Sequence, residues 1–323
     1  MTEYTITNCS CIDGLNALTQ KVQLTITSPP YFNVKDYVVY ANYAEYLNTL
    51  KQVFALVYNV TDDGRMCCVN LSNILVQRES RSCESSRIPL AFHFVPLMEE
   101  LGWKFIEDIV WVKPEGAAKN RNGGFFQHRQ PVAYKPNVVN EYIFVFQKPS
   151  KHLIDKIVRG YDAVASENSR VDDNYERTNV WKINPTTKSK HPAPYPEELV
   201  DRLVRYYSFV GDTVLDPFIG SGTTAVVAYR LNRKCIGFET HQEYIDLFEK
   251  RMKTVSKITG LKTDIVLRAE DFAGLDIDSI KQKINKLPKK YLLQVLQNGD
   301  KYKAFSKTQL TDTIYSRLFV DAT

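Results

Sequence analysis

The sequence predicts an α/β protein: a mostly parallel sheet with helices on both faces, plus a small irregular region. Three observations carry that prediction. Short apolar runs alternate with stretches whose apolar residues recur at helical spacing, the pattern of parallel strands joined by helices. One strand ends in an acid and passes through a glycine turn into a helix, at Val214-Leu215-Asp216-Pro217-Phe218-Ile219-Gly220-Ser221-Gly222-Thr223-Thr224-Ala225. Another strand is cut short by two prolines, at Thr27-Ser28-Pro29-Pro30-Tyr31.

The elements follow in order. Val22, Leu24 and Ile26 alternate and make a strand, which the prolines end because they cannot donate to a ladder. Tyr43, Tyr46, Leu47, Leu50, Val53, Phe54 and Val57 are spaced for a helix within 41–62. Arg65–Asn70 is a short strand, 89–101 a helix and Lys104–Val112 a strand. Residues 113–139 are irregular and polar. Tyr142–Gln147 is a strongly apolar strand, and 148–196 is charged, proline-dotted and without clear period. A helix at 197–207, a strand at Thr213–Leu215, a helix at 222–232, a strand at Cys235–Phe238 and a helix at 241–258 complete the pattern. Further helices are expected at 277–287, 290–296 and 307–318.

Composition narrows the class. The chain of 323 residues is long enough for one large domain and a smaller appendage. With 44% hydrophobic and 24% charged residues it reads as an ordinary globular protein. A net charge of +5 permits a nucleic-acid partner without requiring one. No apolar run approaches a membrane span, and the polar N-terminus lacks a secretory apolar segment, so a cytoplasmic protein is expected. The six cysteines form no CxxC pair, so no metal site is expected and the thiols should be reduced and mostly buried. His93, His152 and His241 are expected to carry no chemistry.

The glycine turn is a candidate ligand site. Glycines let a backbone approach a ligand closely, and a helix N-terminus offers N–H groups to an anion. Glu239, ending the next strand, can accept both hydroxyls of a ribose. Gly220-x-Gly222-x-x-Ala225 also fits the dinucleotide fingerprint of dehydrogenases, so an NAD-dependent oxidoreductase stays open on this stretch alone. The proline turn is the second candidate. A fixed Ser28 hydroxyl and Pro29 carbonyl can take the two hydrogens of an aromatic amine while the Tyr31 ring stacks on its heterocycle. The amine nitrogen is thereby drawn towards tetrahedral geometry and its lone pair can attack a methyl group.

Taken together, Thr27–Tyr31 and Asp216–Thr224 resemble motifs IV and I of the amino methyltransferases that act on DNA, in the order of the β group. Asp13 resembles the acid that contacts the cofactor adenine, and His191-Pro192-Ala193-Pro194-Tyr195-Pro196 the cofactor-cradling segment. Cys235–Glu239 resembles the ribose-binding strand. Arg65–Leu71, Trp111–Pro114 and Asn140–Phe146 resemble the motifs between. The resemblance covers most of 5–250. It implies a permuted Rossmann-like methyltransferase fold, with 1–147 and 185–260 as the catalytic and cofactor-binding domain. DNA-recognition loops would lie at 113–130 and 148–184, and a helical extension at 261–323.

What the resemblance implies chemically is transfer of a methyl group from S-adenosyl-L-methionine to the amino group of a base flipped out of double-stranded DNA. Ser28, Pro29, Pro30 and Tyr31 would be catalytic. Asp13, Thr27, His191, Pro194, Tyr195, Asp216, Pro217, Phe218, Gly220, Gly222, Thr223, Thr224 and Glu239 would hold the cofactor. Members with Ser before the two prolines mostly modify N4 of cytosine, those with Asp or Asn mostly N6 of adenine. Attack at C5 of cytosine would need a Pro-Cys nucleophile, and the chain has none. Lys119, Arg121, Gly123, Gly124 and Arg129 are candidate DNA contacts, as are the cations Lys151, Lys156, Arg159, Arg170 and Arg177. The resemblance further implies a prokaryotic restriction–modification system with a cognate endonuclease as functional partner. A protein-glutamine or RNA methyltransferase would carry Asn-Pro-Pro-Tyr after its glycine turn, an order this chain does not have. A DNA-binding module without activity would not need both motifs intact.

Overall fold

The computed structural model describes residues 4–32, 40–76, 80, 86–117, 129–132, 134, 136–186, 195–263, 281, 306 and 308–313, with side chains to 255 in the last long stretch. The chain forms two compact units, Met1–Glu249 and Lys250–Thr323.

The first unit is built on an eight-stranded sheet. Its strands are β1 (Tyr4–Asn8), β2 (Val22–Thr27), β3 (Thr61–Leu71), β6 (Lys104–Val112), β7 (Asn140–Gln147), β8 (Val180–Lys182), β9 (Thr213–Asp216) and β10 (Lys234–Glu239). Their spatial order is β1-β10-β9-β2-β3-β7-β6-β8. Every neighbouring pair is parallel except those made by β7, which runs against β3 and β6. A separate two-stranded ribbon pairs β4 (Ile74–Val76) with β5 (Ser86–Ile88). The helices are α1 (Cys11–Ala17), α2 (Tyr43–Val60), α3 (Leu90–Glu100), α4 (Ile154–Val158), α5 (Ala163–Asn168), α6 (Glu197–Tyr207), α7 (Thr223–Arg230) and α8 (Gln242–Thr263).

Helices cover both faces, as alternation in the sequence implied. On one face α1, α2 and α3 contribute Leu15, Phe54 and Phe94 to a core that includes Val69, Leu215 and Phe238. On the other, α6 and α7 pack on each other and on β2, β9 and β10. This double cover corrects the pattern read for β2: Thr25 and Thr27, opposite the apolar alternation, are also buried. Local chemistry starts the helices. In α2 the Asn42 side chain accepts from Glu45 N at 2.9 Å while Glu45 Oε2 accepts from Ala41 N at 2.7 Å. In α1 the Ser10 hydroxyl accepts from Asp13 N at 3.1 Å and donates to Asp13 Oδ2 at 2.6 Å.

The central strands β9 and β2 are adjacent. From β9 the chain moves outwards to β10, and from β2 it moves the other way to β3. Such a switch point opens a crevice at the carboxyl ends of the strands, where α/β sheets bind ligands.

Sequence pattern did not reveal β1, α1, the β4–β5 ribbon or β8. β1 and β8 are edge strands with exposed residues, so burial imposes no apolar pattern on them. The segment 148–184, whose sequence shows no clear period, holds α4, α5 and β8. Most of it lies at the amino-terminal end of the sheet. Lys148 N donates to Arg65 O at 2.9 Å, Val210 N to Ser169 Oγ at 2.7 Å, and the Tyr161 ring stacks on Phe209 with centroids 4.0 Å apart. Tyr161 Oη donates to Asp212 Oδ1 at 2.5 Å, and Arg65 pairs with Asp212 at 3.5 Å. In the second unit residues 308–313 are helical. The helices expected at 277–287 and 290–296 lie outside the described residues apart from Lys281. Cys9 and Cys11 are half-buried and Cys67, Cys68 and Cys235 buried, all as free thiols. Among the described residues no group of side chains could hold a metal ion, and no helix is long and apolar enough to cross a membrane.

Candidate functional site

The two turns singled out in the sequence meet. Thr27, the last residue of β2, donates from Oγ1 to Asp216 Oδ1, the last residue of β9, at 2.7 Å. Both residues are 1% exposed. Asp216 gathers three more donors: Phe218 N on Oδ1 at 3.1 Å, Thr224 Oγ1 on Oδ2 at 2.6 Å and Tyr195 Oη on Oδ2 at 2.8 Å. A carboxylate has about four acceptor positions, so this one is filled by the protein itself. Asp216 therefore acts on the crevice through the turns it ties together. Burial raises its pKa, and the donors from Thr224, Thr27, Tyr195 and Phe218 oppose that rise. The Tyr195 hydroxyl also lies against Thr224 Oγ1, and burial followed by the Asp216 charge pushes its pKa well up.

Beyond Asp216 the backbone turns through Gly220 and Gly222 at φ +52° and +78°. A Cβ on Gly222 would stand 2.1 Å from the Phe248 ring. Only glycine fits, and α7 then begins with no side-chain cap. Ser221, Thr223 and Thr224 are buried around this start. One strand over, Glu239 is 8% exposed. Its Oε1 accepts from Thr240 N at 2.9 Å, His241 N at 2.8 Å and His241 Nδ1 at 3.1 Å. All three fall on Oε1, and Oε2 is left to accept from a ligand. Asn8 of β1 lies level with Glu239, and the chain passes from there through Ser10 into α1 and Asp13. Asp13, Glu239 and the glycine turn thus share the carboxyl end of the sheet. A glycine turn into an uncapped helix, with an open carboxylate oxygen on the next strand, suits a nucleoside-bearing ligand with a diol.

On the other side of Thr27 stands the proline turn. Pro29 is buried, while Ser28, Pro30 and Tyr31 are half-buried at the end of β2. Tyr31 Oη donates to Glu141 Oε2 at 3.4 Å. Burial, then the Glu141 charge, raises the Tyr31 pKa well above its ordinary value, so the phenol stays protonated. Glu141 Oε2 also accepts from Asn70 Nδ2 at 2.7 Å, and Lys113 Nζ is paired with Glu141 Oε1. The Lys113 ammonium lies 4.6 Å above the Trp111 ring. Asn70, Lys113 and Glu141 escaped the sequence reading as site residues. The available signal was a polar residue at the end of each apolar strand: Asn70 after Cys67-Cys68-Val69, Glu141 before Tyr142–Phe146, and Lys113 after Val112.

Of the other expected site residues, Pro217 and Phe218 form the start of the glycine turn. His191, Pro194, Lys119, Arg121, Gly123 and Gly124 lie outside the described residues. Arg129 is exposed at φ +49°. Lys151, Lys156, Arg159 and Arg170 belong to the stretch anchored at the amino-terminal end of the sheet, a strand length away from Ser28–Tyr31. Two of them pair with acids nearby, Arg159 with Asp155 at 3.3 Å and Arg170 with Glu167 at 3.4 Å. Arg177 lies 5.7 Å over the Tyr175 ring.

Known proteins resemble this chain over most of its length. A family model described as DNA methylase matches residues 22–250. Type II methyltransferase M.MjaI of Methanocaldococcus jannaschii is 30% identical over 227 residues, covering 67% of this chain and 71% of that protein. M.Cfr9I of Citrobacter freundii is 27% identical over 277 residues, covering 76% and 84%. Type II β methyltransferase M.BslI of a Bacillus species is 28% identical over 250 residues; 75% of this chain matches, spanning 26% of that longer protein. Among solved structures, a candidate DNA modification methylase of Thermus thermophilus, complexed with S-adenosyl-L-methionine, aligns with a TM-score of 0.63 at 25% identity, covering 80% of this chain and 94% of that one. PvuII DNA methyltransferase (cytosine-N4-specific) shares the fold, with a TM-score of 0.58 at 19% identity over 80% and 92% of the two chains.

Proposed function

The chain belongs to the DNA methylase family, and from that premise we propose that it transfers a methyl group from S-adenosyl-L-methionine to N4 of a cytosine flipped out of duplex DNA. The observation that carries the reading is the Thr27–Asp216 hydrogen bond, which fastens the proline turn beside the glycine turn. A methyl donor held at one turn then faces an amine held at the other. S-Adenosyl-L-methionine, when bound, supplies a methyl group on a sulfonium that departs as a neutral thioether. The residues for holding it are the glycine turn, Glu239 for the ribose through Oε2, and Asp13 for the adenine.

The remaining chemistry belongs to the chain. Ser28 Oγ and the Pro29 carbonyl accept the two amine hydrogens and hold the nitrogen lone pair towards the methyl carbon. That lone pair forms the new N–C bond, and the nitrogen afterwards releases one proton to solvent. Stacking of Tyr31 on the extruded base contributes about 1–3 kcal/mol. Catalysis of this kind is mostly position and electrostatics. Ser28 ahead of the two prolines favours cytosine N4; adenine N6 is the other outcome. The NAD-dependent oxidoreductase, open on the glycine turn alone, falls with membership of the family. DNA contact is proposed first for residues 113–130, which follow Val112; Val112 pairs with Asn140 at the end of the sheet that carries Glu141. Of residues 148–184, the part nearest that end is β8, since most of the stretch is tied to the opposite end. Pairing with a cognate endonuclease would follow the type II relatives.

The test is mass spectrometry of nucleosides from DNA incubated with the protein and S-adenosyl-L-methionine. N4-methylcytosine is expected. N6-methyladenine would move the assignment to the other amino base, and 5-methylcytosine or no product would overturn the reading.

A further inference from the structure

We propose that Asn70 reads the amino group of the flipped base, with Glu141 and Lys113 as positioning residues that fix which end of its amide is presented; the proposal rests on the methyl-transfer reading above. Asn70 is 6% exposed. Its Oδ1 is buried and has no hydrogen-bond partner. Buried amide oxygens are rarely left so, because an unpaired acceptor forfeits its bond to water. An orphan beside a reaction site marks a place for a donor from a ligand.

The orientation of the amide follows from its neighbour. A carboxylate only accepts, so the Asn70 nitrogen must face Glu141 Oε2, at 2.7 Å, and the oxygen must face away. Lys113 on Glu141 Oε1 pins the carboxylate from its other side. Position follows from register. Val69 lies opposite Thr27, so Asn70 comes level with Ser28. Asn70 pairs with Ile143, two residues along β7 from Glu141, which brings both side chains to one face of the sheet. The unpaired oxygen therefore stands beside the turn that holds the amine, where it shares with Ser28 Oγ, in a three-centre bond, one of the two amine hydrogens, the other going to the Pro29 carbonyl.

An acceptor there distinguishes bases by kind. Cytosine and adenine offer amino hydrogens at the exchanging position, whereas uracil and hypoxanthine offer a keto oxygen. Facing a keto oxygen, the amide oxygen would stay unpaired and repel it. Sites built to bond a substrate donor reject analogues lacking it far better than apolar pockets reject a change of size.

The test uses the full chain. Sequencing of methylated λ DNA locates the modified site, and two duplexes are made: one with the natural target base, one with uracil (hypoxanthine if the target is adenine) in its place. Binding is measured by fluorescence anisotropy with S-adenosyl-L-homocysteine present. The wild-type protein should prefer the amino base by at least about tenfold, and Asn70→Leu, which leaves the acceptors of the proline turn in place, should lower that preference at least about threefold and cut kcat about a hundredfold. Its S-adenosyl-L-methionine affinity should stay within about twofold, since Asn70 lies outside the donor's turn. Glu141→Gln, which keeps an acceptor for Asn70 Nδ2, should retain the preference; Glu141→Leu should lower it as Asn70→Leu does. Should Asn70→Leu fail to fold, Asn70→Ala makes the same test. Wild-type preference in a folded Asn70→Leu or Asn70→Ala protein would overturn the assignment. A wild-type protein that methylates no base would overturn the methyl-transfer reading, and this inference with it.

Discussion

Thr27→Val separates the job of joining the two turns from the job of building either one. Valine keeps the β-branched shape that suits a strand and removes only the hydroxyl that donates to Asp216 at 2.7 Å. A hydrogen bond to a charged acceptor contributes about 1.5–3 kcal/mol. Asp216 keeps its donors from Phe218, Thr224 and Tyr195, so the loss should fall near the lower figure. For a chain of this size that is a fall in Tm of about 2–3 °C. The larger effect is on rate. With the link gone the ends of β2 and β9 can part slightly, and a misplacement of about 1 Å between reacting groups costs about a hundredfold. Donor affinity should change little, because the glycine turn and Glu239 are untouched. Single-turnover methyl transfer with labelled S-adenosyl-L-methionine gives the rate, calorimetry the donor affinity and a thermal melt the stability. A variant with the wild-type rate and Tm would refute the claim that this hydrogen bond aligns the site. A proportionate loss of donor binding would show that Thr27 belongs to the donor pocket instead.

Other perturbations should give distinct patterns. Gly222→Ala places a Cβ 2.1 Å from the Phe248 ring at φ +78°; left-handed strain alone costs about 1–2 kcal/mol, so a clear drop in Tm is expected, and an unshifted melt would mean that the turn can move aside. Glu239→Gln keeps an acceptor for Thr240 and His241 but weakens the charged one for a ribose; donor affinity should fall about thirtyfold, or about 2 kcal/mol, read by calorimetry at unchanged Tm. Tyr161→Phe removes a hydroxyl bonded to Asp212 at 2.5 Å at the amino-terminal end of the sheet; urea unfolding should report a loss of about 1–3 kcal/mol while the transfer rate stays put. DNA affinity should fall steeply with salt, as phosphate contacts require; a flat dependence in an anisotropy titration would argue against them.

The sequence was most legible where burial is complete. β2, β7, β9 and β10 are largely buried, and their apolar runs follow from that. The glycine and proline turns were legible because their backbones demand those residue types. Edge strands left no such trace: β1 exposes most of its side chains and β8 rests one buried Trp181 against β6. The direction of β7 was unreadable too, since an apolar strand looks alike run either way. Within the site, Asp216 was legible as a residue but its employment was not. Only the folded chain reveals that Thr27, Tyr195, Thr224 and Phe218 use all of its capacity. Asn70 lies near the end of β3, Lys113 follows β6 and Glu141 lies near the start of β7, and no spacing in the chain announces that they converge.

The first strand closes one edge of the sheet. Tyr4 pairs with Cys235 and Asn8 with Glu239, so β1 is synthesised long before the partner it must find. Contacts so distant along the chain form slowly. During the wait this segment is tolerable company: Tyr-Thr-Ile-Thr-Asn is short and half polar, a poor nucleus for aggregation. Its late arrival would also bring Asp13 into place last, making the nascent protein incompetent for its donor until the rest of the sheet is complete.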